Sequence, residues 1–123
     1  MRQKISSNFS FEDTYGYSRA VRVGQHVFVS GTLARGEALE GDAYIQSMAI
    51  YEIVRKTLAE AGAGMEHVVR TAVYATDIND EPGIAKAHSE IFDKIRPSST
   101  FIEISKLRVP KARVEIEFTA VID

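Results

Sequence analysis

Carboxylate and histidine side chains are the groups in this sequence that could move protons. Glu103, Glu115 and Glu117 alternate with apolar residues, a pattern typical of one face of a β-strand. His88 lies among apolar residues at helical spacing. A histidine there either hydrogen bonds at the edge of a core or, because its ordinary pKa is near neutral, shuttles protons. The chain has no cysteine, which excludes disulfides, cysteine-ligated metals and thiolate nucleophiles.

Composition narrows the remaining classes of function. His26, His67 and His88 fall on different predicted elements without ligand spacing, so no metal site is expected. The formal net charge is −2, and this balance does not favour a nucleic-acid binder, because phosphate contacts need clustered positive charge. No apolar stretch approaches the roughly 18 residues of a membrane span. The first residues carry charges without an apolar run behind them, so a cytoplasmic protein is expected.

The 123 residues fit a single domain spanning residues 1–123. Residues 18–23 and 26–30 are short β-prone runs joined by Gly24 and Gln25, which predicts a hairpin. Residues 32–41 contain two glycines and are expected to form a loop.

Two amphipathic helices are predicted. The first has Asp42 as its N-cap and runs to about Ala61, where Gly62 is expected to adopt a left-handed conformation. The second begins near Pro82, carries apolar residues at spacings of three and four, and ends at Arg96 because Pro97 follows.

Three further strands are predicted over residues 68–75, 99–104 and 114–121. The order is then β-β-α-β-α-β-β, in which two helices can cover only one face of one sheet. This order predicts a two-layer α+β domain with a mixed sheet. In the strand over 99–104, Ile102 and Ile104 are expected to share one face, and Ser99, Phe101 and Glu103 the other.

The helix-free face of this sheet is therefore predicted to display aromatic, hydroxyl and carboxylate side chains. Solvent exposure is one reading of such a face. The other is a pocket wall or an interface with a second copy of the chain, because large apolar residues on a bare sheet face favour a cover. The residues expected there are Phe28, Ser30, Phe101, Glu103, Glu115 and Glu117.

Six segments together resemble the Rid family, also called YjgF-like or the L-PSP endoribonuclease family. The resemblance covers nearly the whole chain, and its motifs are specific only in combination. The segments are YGYS at 15–18, VFVSG at 27–31, AGAGMEHVVRT at 61–71, YATDI at 74–78, RPSST at 96–100 and VEIE at 114–117.

This resemblance implies a chorismate-mutase-like α+β fold and a homotrimer with ligand clefts between neighbouring subunits. It also implies hydrolysis of reactive imines or enamines to a 2-oxo acid and ammonia, without a metal or organic cofactor. Such a reaction needs a held substrate, a placed water and a group that passes protons.

The resemblance assigns roles to individual residues. Glu115 matches the carboxylate that would activate water, and the alternative for it is a structural ion pair or hydrogen bond. Tyr17 would close the cleft and donate a hydrogen bond. Ser30 would hold the water or the substrate nitrogen.

Three positions depart from the family pattern. Ser99 stands where imine deaminases carry the arginine that binds the substrate carboxylate. Phe101 occupies the position of a family cysteine, and Lys86 occupies the position of a family asparagine. Lys86 and Arg96 are candidates to replace the missing charge, although both also fit solvated helix positions. A more apolar pocket would favour a larger or less acidic substrate.

Three functions remain open at this point. The first is a hydrolase acting on an imine, an enamine or a related reactive nitrogen compound. The second is a trimer that binds a small metabolite without catalysis. The third is a ribonuclease, favoured only by the basic run from Lys106 to Arg113, which lacks interleaved aromatic residues and reads more simply as a solvated turn.

Overall fold

A computed structural model describes residues 1–123. The chain forms one six-stranded sheet with the spatial order β1-β2-β3-β6-β4-β5. All neighbouring strands are antiparallel except β4 and β5, which are parallel, so the sheet is mixed. The strands are β1 (Arg2–Ile5), β2 (Ala20–Val23), β3 (His26–Thr32), β4 (Val68–Ala75), β5 (Ser98–Glu103) and β6 (Val114–Val121).

Helices α2 (Ala43–Glu60) and α3 (Glu81–Phe92) pack against each other, and α2 packs on β3 and β6. The core between helices and sheet is continuous and includes Ile50, Tyr51 and Phe118. The predicted α+β architecture with two helices on one face is confirmed. We call the opposite side of the sheet the open face. No helix combines the length and apolarity needed to span a membrane.

The ends of α2 follow from its sequence as predicted. The Asp42 carboxylate caps the helix by accepting a hydrogen bond from the Ile45 amide at 2.9 Å. After the last turn, Gly62 adopts a left-handed φ of 83°, and the Ala63 amide donates back to the Leu58 carbonyl at 2.8 Å. The helix therefore ends at a defined point, after which the chain continues towards β4.

Two elements lacked a sequence signal. The strand β1 is short and polar, with Ile5 its single buried residue, so it shows no apolar alternation. The helix α1 (Ser10–Tyr15) has six residues and ends at Gly16, whose φ is 85°. A helix of this length depends on tertiary contacts for its stability, because isolated helices shorter than about 12 residues are marginal.

The face assignment of β5 was wrong. Thr71 and Val73 of β4 pair with Ser99 and Phe101 of β5 and face the helices, so Ser99, Phe101 and Glu103 also face the helix side. Alternation groups the residues of a strand into two sets but does not say which set points inward. The edge position of β5 leaves Ile102 on the open face, 43% exposed.

Candidate active site

A cavity of about 440 Å³ opens where the end of β3 meets β6. The segment before β2, which includes α1, contributes an aromatic wall to it. The loop after β3 and the loop before β6 contribute positively charged side chains. Glu115, Tyr17 and Ser30, three of the predicted site residues, line this single cavity.

Glu115 is the acidic residue of the cavity. It lies on β6, half-buried, between the inward-facing Val114 and Ile116, and its backbone pairs with Tyr74 of β4. Burial raises the pKa of the Glu115 carboxyl, while the charges of Arg19 and Arg108 oppose the rise. A carboxyl group so placed is closer to the range in which it can both accept and return a proton.

Gly31 lies against the Glu115 side chain across the strand pair. A Cβ atom on Gly31 would be 2.9 Å from Glu115 Cδ and 3.1 Å from Oε2. Any larger residue would therefore displace the carboxyl group. The pairing of β3 with β6 shifts register between Val29 and Thr32, at this same point.

Arg19 forms the buried charged wall of the cavity. Its side chain is 2% exposed, and its Nη2 donates to the Gly31 carbonyl at 2.6 Å. Its Nε is buried without a hydrogen-bond partner. The guanidinium carbon lies 5.4 Å from the centre of the Tyr17 ring. Arg19 therefore holds Gly31 in place and brings a positive charge towards Glu115.

Two more arginines stack on aromatic rings at the rim. The guanidinium carbon of Arg108 lies 3.8 Å from the Phe11 ring centre, and that of Arg35 lies 4.4 Å from the Phe9 ring centre. Burial and the nearby charge of Arg19 lower the pKa of Arg35. The cavity thus combines a carboxyl group with three guanidinium groups.

A buried carboxylate anchors α1 beside the cavity. Glu12 accepts hydrogen bonds from Ser6 Oγ at 2.9 Å and Ser7 Oγ at 2.6 Å, and from the Ser7 amide at 3.2 Å. Burial would raise the pKa of Glu12, but these hydrogen bonds outweigh it and the pKa is lowered. Arg35 Nη2 donates to the same Ser7 hydroxyl at 3.0 Å. The network connects the aromatic wall to the positive side of the cavity.

Ser30 and Tyr17 occupy different parts of the cavity wall. Ser30 Oγ donates to the Ser18 carbonyl at 2.8 Å, so its oxygen lone pairs are left for a ligand. Tyr17 packs edge-to-face against Phe11 and Tyr15 at centroid distances of 6.1 and 5.9 Å.

Ser99 and His88 form a separate cluster on the helix side of the sheet. The hydroxyl of the buried Thr71 lies 2.9 Å from His88 Nε2 and 2.7 Å from Ser99 Oγ, within hydrogen-bond distance of both. Burial lowers the pKa of His88, which favours the neutral ring. Phe101 packs at the edge of the core. None of these three predicted residues lines the Glu115 cavity.

The two cations considered as replacements for the missing arginine lie outside the cavity. Lys86 is exposed on α3, with Nζ 4.8 Å from the Tyr44 ring centre. Arg96 donates two hydrogen bonds to Asp93, from Nε to the backbone carbonyl at 2.6 Å and from Nη2 to Oδ1 at 3.2 Å.

The cations that do line the cavity were missed from the sequence. Arg108 belongs to the basic run interpreted as a solvated turn, and that interpretation holds for Lys111 and Arg113, which form surface ion pairs with Glu40 and Asp80. Arg108 differs because α1 brings an aromatic ring beneath it. A short helix without a sequence signal thus decides which arginine of the run reaches the site.

A family model described as Endoribonuclease L-PSP matches residues 10–122. The chain belongs to this family. The match includes every cavity-lining residue from Phe11 onwards, so the Rid-family segment contains the site almost entirely.

Relatives of this Rid-family protein have varied descriptions. An uncharacterized protein of Streptomyces coelicolor is 33% identical over 96% of this chain and 90% of its own. A 2-iminobutanoate/2-iminopropanoate deaminase of Dermatophagoides farinae is 30% identical over 87% of this chain and 86% of its own. A crystal structure of a YjgF/YER057c/UK114 family member from Mycobacterium tuberculosis superposes with a TM-score of 0.93 at 38% identity, covering 99% of this chain and 100% of that one.

Proposed function

We propose that this protein hydrolyses a reactive imine or enamine to a carbonyl compound and ammonia in the Glu115 cavity. The observation that carries the proposal is the Glu115 carboxyl, half-buried with a raised pKa in a cavity lined by arginines. Family membership and the relative named 2-iminobutanoate/2-iminopropanoate deaminase support the reaction class.

The reaction requires one water molecule and a group that passes protons. Ionised Glu115 accepts a proton from water as its oxygen adds to the carbon of the protonated C=N bond. A carbinolamine results. Glu115 then returns the proton to the nitrogen and the C–N bond breaks as the hydroxyl oxygen forms the C=O bond. The hydroxyl proton passes through the Glu115 carboxylate to the departing ammonia, which leaves as ammonium. An enamine enters the same sequence after protonation at its β-carbon.

The surroundings of Glu115 fit both halves of this cycle. Burial favours the protonated carboxyl, whereas the positive charges of Arg19 and Arg108 favour the carboxylate. Burial and the nearby charges thus act in opposite directions on the protonation of Glu115. Ser30 Oγ has free lone pairs with which it can orient the water or the substrate nitrogen.

The proposed working unit is a homotrimer, as the family resemblance implies. The open face supports an association of this kind, because Phe28 and Ile102 leave 49% and 43% of their surface exposed there. Ser99 and Phe101 lie on the opposite side of the sheet from Glu115. Light scattering at micromolar concentration tests the homotrimer, and a monomer mass would contradict it.

The activity is tested with imines generated in situ by an amino-acid oxidase or dehydratase. The protein should accelerate release of the oxo acid, and Glu115→Gln should reduce the rate at least about a hundredfold. Glu52→Gln is the matched control, because Glu52 is an exposed carboxylate on α2, 58% exposed at its side chain. Failure to accelerate any imine would reject the hydrolase; full activity of Glu115→Gln would reject the role of Glu115.

Binding without catalysis is the second candidate. The arginines and the aromatic wall can hold an anion whether or not water is activated. Thermal stabilisation by a ligand together with no imine hydrolysis would favour this function.

A further inference from the structure

Guanidinium groups outnumber carboxyl groups in the cavity lining. Arg19, Arg35 and Arg108 line the cavity, and Glu115 is the one carboxyl group among the lining residues. Two further carboxylates lie nearby, since the charge of Glu117 acts on Glu115 and that of Glu12 acts on Arg35. Neither of these two lines the cavity, so an anionic ligand would meet a lining in which positive charge predominates.

The carboxylate of Glu12 does not neutralise these arginines by direct contact. Its hydrogen bonds come from Ser6 and Ser7, and Arg35 reaches it only through the Ser7 hydroxyl. Arg19 is only 2% exposed, and its Nε has no hydrogen-bond partner. The cavity wall thus has donor capacity that the protein itself does not use.

Arg108 is the guanidinium that a ligand can reach. It is exposed, its charge acts on Glu115, and its guanidinium carbon rests 3.8 Å from the Phe11 ring centre. Stacking holds the planar group while leaving its edge N–H donors free, the arrangement that suits a carboxylate. No hydrogen bond or ion pair within the protein occupies those donors.

An aromatic wall lies beside this guanidinium. Phe11 and Tyr15 stack at 5.6 Å with an interplanar angle of 12°, and Tyr17 closes the group edge-on. Tyr15 is 75% exposed, so the wall offers apolar area that the protomer leaves uncovered. A flat or bulky apolar group gains from covering such a surface.

We infer that the substrate is an imine or enamine bearing a carboxylate next to a ring or another bulky apolar group. The Arg108 guanidinium binds the carboxylate, Phe11 and Tyr15 cover the apolar group, and Arg19 supplies the positive potential from below. This assignment rests on the proposed function in taking the Glu115 cavity as the substrate site. It places the carboxylate-binding cation on the loop before β6 rather than at Ser99.

Unreactive ligands test the assignment by calorimetric titration of the full-length protein. The probes are 3-phenylpropionate, its neutral amide 3-phenylpropionamide, and propionate, which lacks the ring. The acid should bind at least about tenfold more tightly than either comparison ligand, the difference typical of one charge-assisted contact or one buried ring. Arg108→Gln should remove the preference for acid over amide.

Lys106→Gln is the matched control, since it removes a charge from the same loop but outside the cavity. It should leave the preference unchanged. Equal binding of acid and amide would overturn the carboxylate contact, and equal binding of phenylpropionate and propionate would overturn the apolar subsite. Absence of binding by all three would overturn both.

The two proposals fail in different ways. Selective binding of 3-phenylpropionate with no imine hydrolysis would support the ligand class and reject the hydrolase. Hydrolysis of the alanine-derived imine at the same kcat/KM as the phenylalanine-derived one would support the hydrolase and reject the substrate class.

Discussion

The Glu115 carboxyl group lies against Gly31, so closely that a methyl group on Gly31 would be 2.9 Å from Glu115 Cδ. The Gly31 carbonyl accepts a hydrogen bond from Arg19 at the same point. One small residue therefore sets both the position of the proposed proton carrier and that of the buried cation beside it.

Gly31→Ala should displace the Glu115 side chain and reduce imine hydrolysis at least about tenfold, because a misplacement of about 1 Å is costly to catalysis. Stability should change little, because the atoms that the added Cβ would meet all belong to the flexible end of the Glu115 side chain. Urea unfolding and initial rates measure the two effects. Gly83→Ala is the control, because its Cβ would meet no atom closer than 3.4 Å and activity should persist. An active Gly31→Ala would show that Glu115 need not stay where the structure places it.

The raised pKa of Glu115 gives a pH signature in stability. A carboxyl group whose pKa is higher in the folded state favours folding below its unfolded value, near 4.5, and this contribution is lost as the pH rises through the folded pKa. Glu115→Gln removes the titrating group, so the variant does not lose this contribution to stability as the pH rises. The stability of the variant relative to the wild type should therefore increase from pH 4 to pH 7, as measured by urea unfolding. A difference that stays constant or decreases would contradict the burial argument.

Glu12 should show the opposite sign. Its lowered pKa makes the carboxylate stabilising above about pH 4.5, and this contribution is lost as the pH falls through the folded pKa. Glu12→Gln should destabilise the protein at pH 7 by about 1–3 kcal/mol, because it weakens hydrogen bonds from two serines. Its deficit against the wild type should shrink towards pH 3. An unchanged deficit across this range would indicate that packing, not charge, is responsible.

Thr71 should be structurally important to the cluster on the helix side. Thr71→Val keeps the shape but leaves the partly buried His88 Nε2 without its partner, at a cost of about 1–3 kcal/mol, whereas the exposed Ser99 hydroxyl can bond water instead. Thr57→Val is the matched control. The Thr57 hydroxyl bonds only the Ile53 carbonyl of its own helix at 2.9 Å, so its loss should cost less. Chemical denaturation compares the two, and equal costs would argue against a structural role for the cluster.

Strong local patterns made much of the fold predictable. The alternation in β6 places Val114, Ile116 and Phe118 in the core and Glu115 on the other face, because one face of the strand must be buried. Asp42 and Gly62 mark the ends of α2 through local hydrogen bonding and a left-handed φ. These features depend on near neighbours in the chain, so the sequence shows them directly.

Local sequence patterns could not predict which face of β5 points inward. Its period of two was correct, yet its inward face was assigned to Ile102 instead of Phe101. The hydropathies of the two residues are too similar to decide, and the decision comes from the register with β4.

The amino-acid sequence by itself determined the two-layer α+β architecture, the boundaries of α2 and a carboxylate on the outer face of β6, because short-range periodicity and capping specify them. Only the tertiary structure decided that Arg19, Arg35 and Arg108, distant in the chain, line the same cavity as that carboxylate. It also placed Ser99 and His88 outside the cavity, in a cluster with Thr71 on the helix side of the sheet. Electrostatics and burial depend on distances in space, which the order of residues along the chain does not contain.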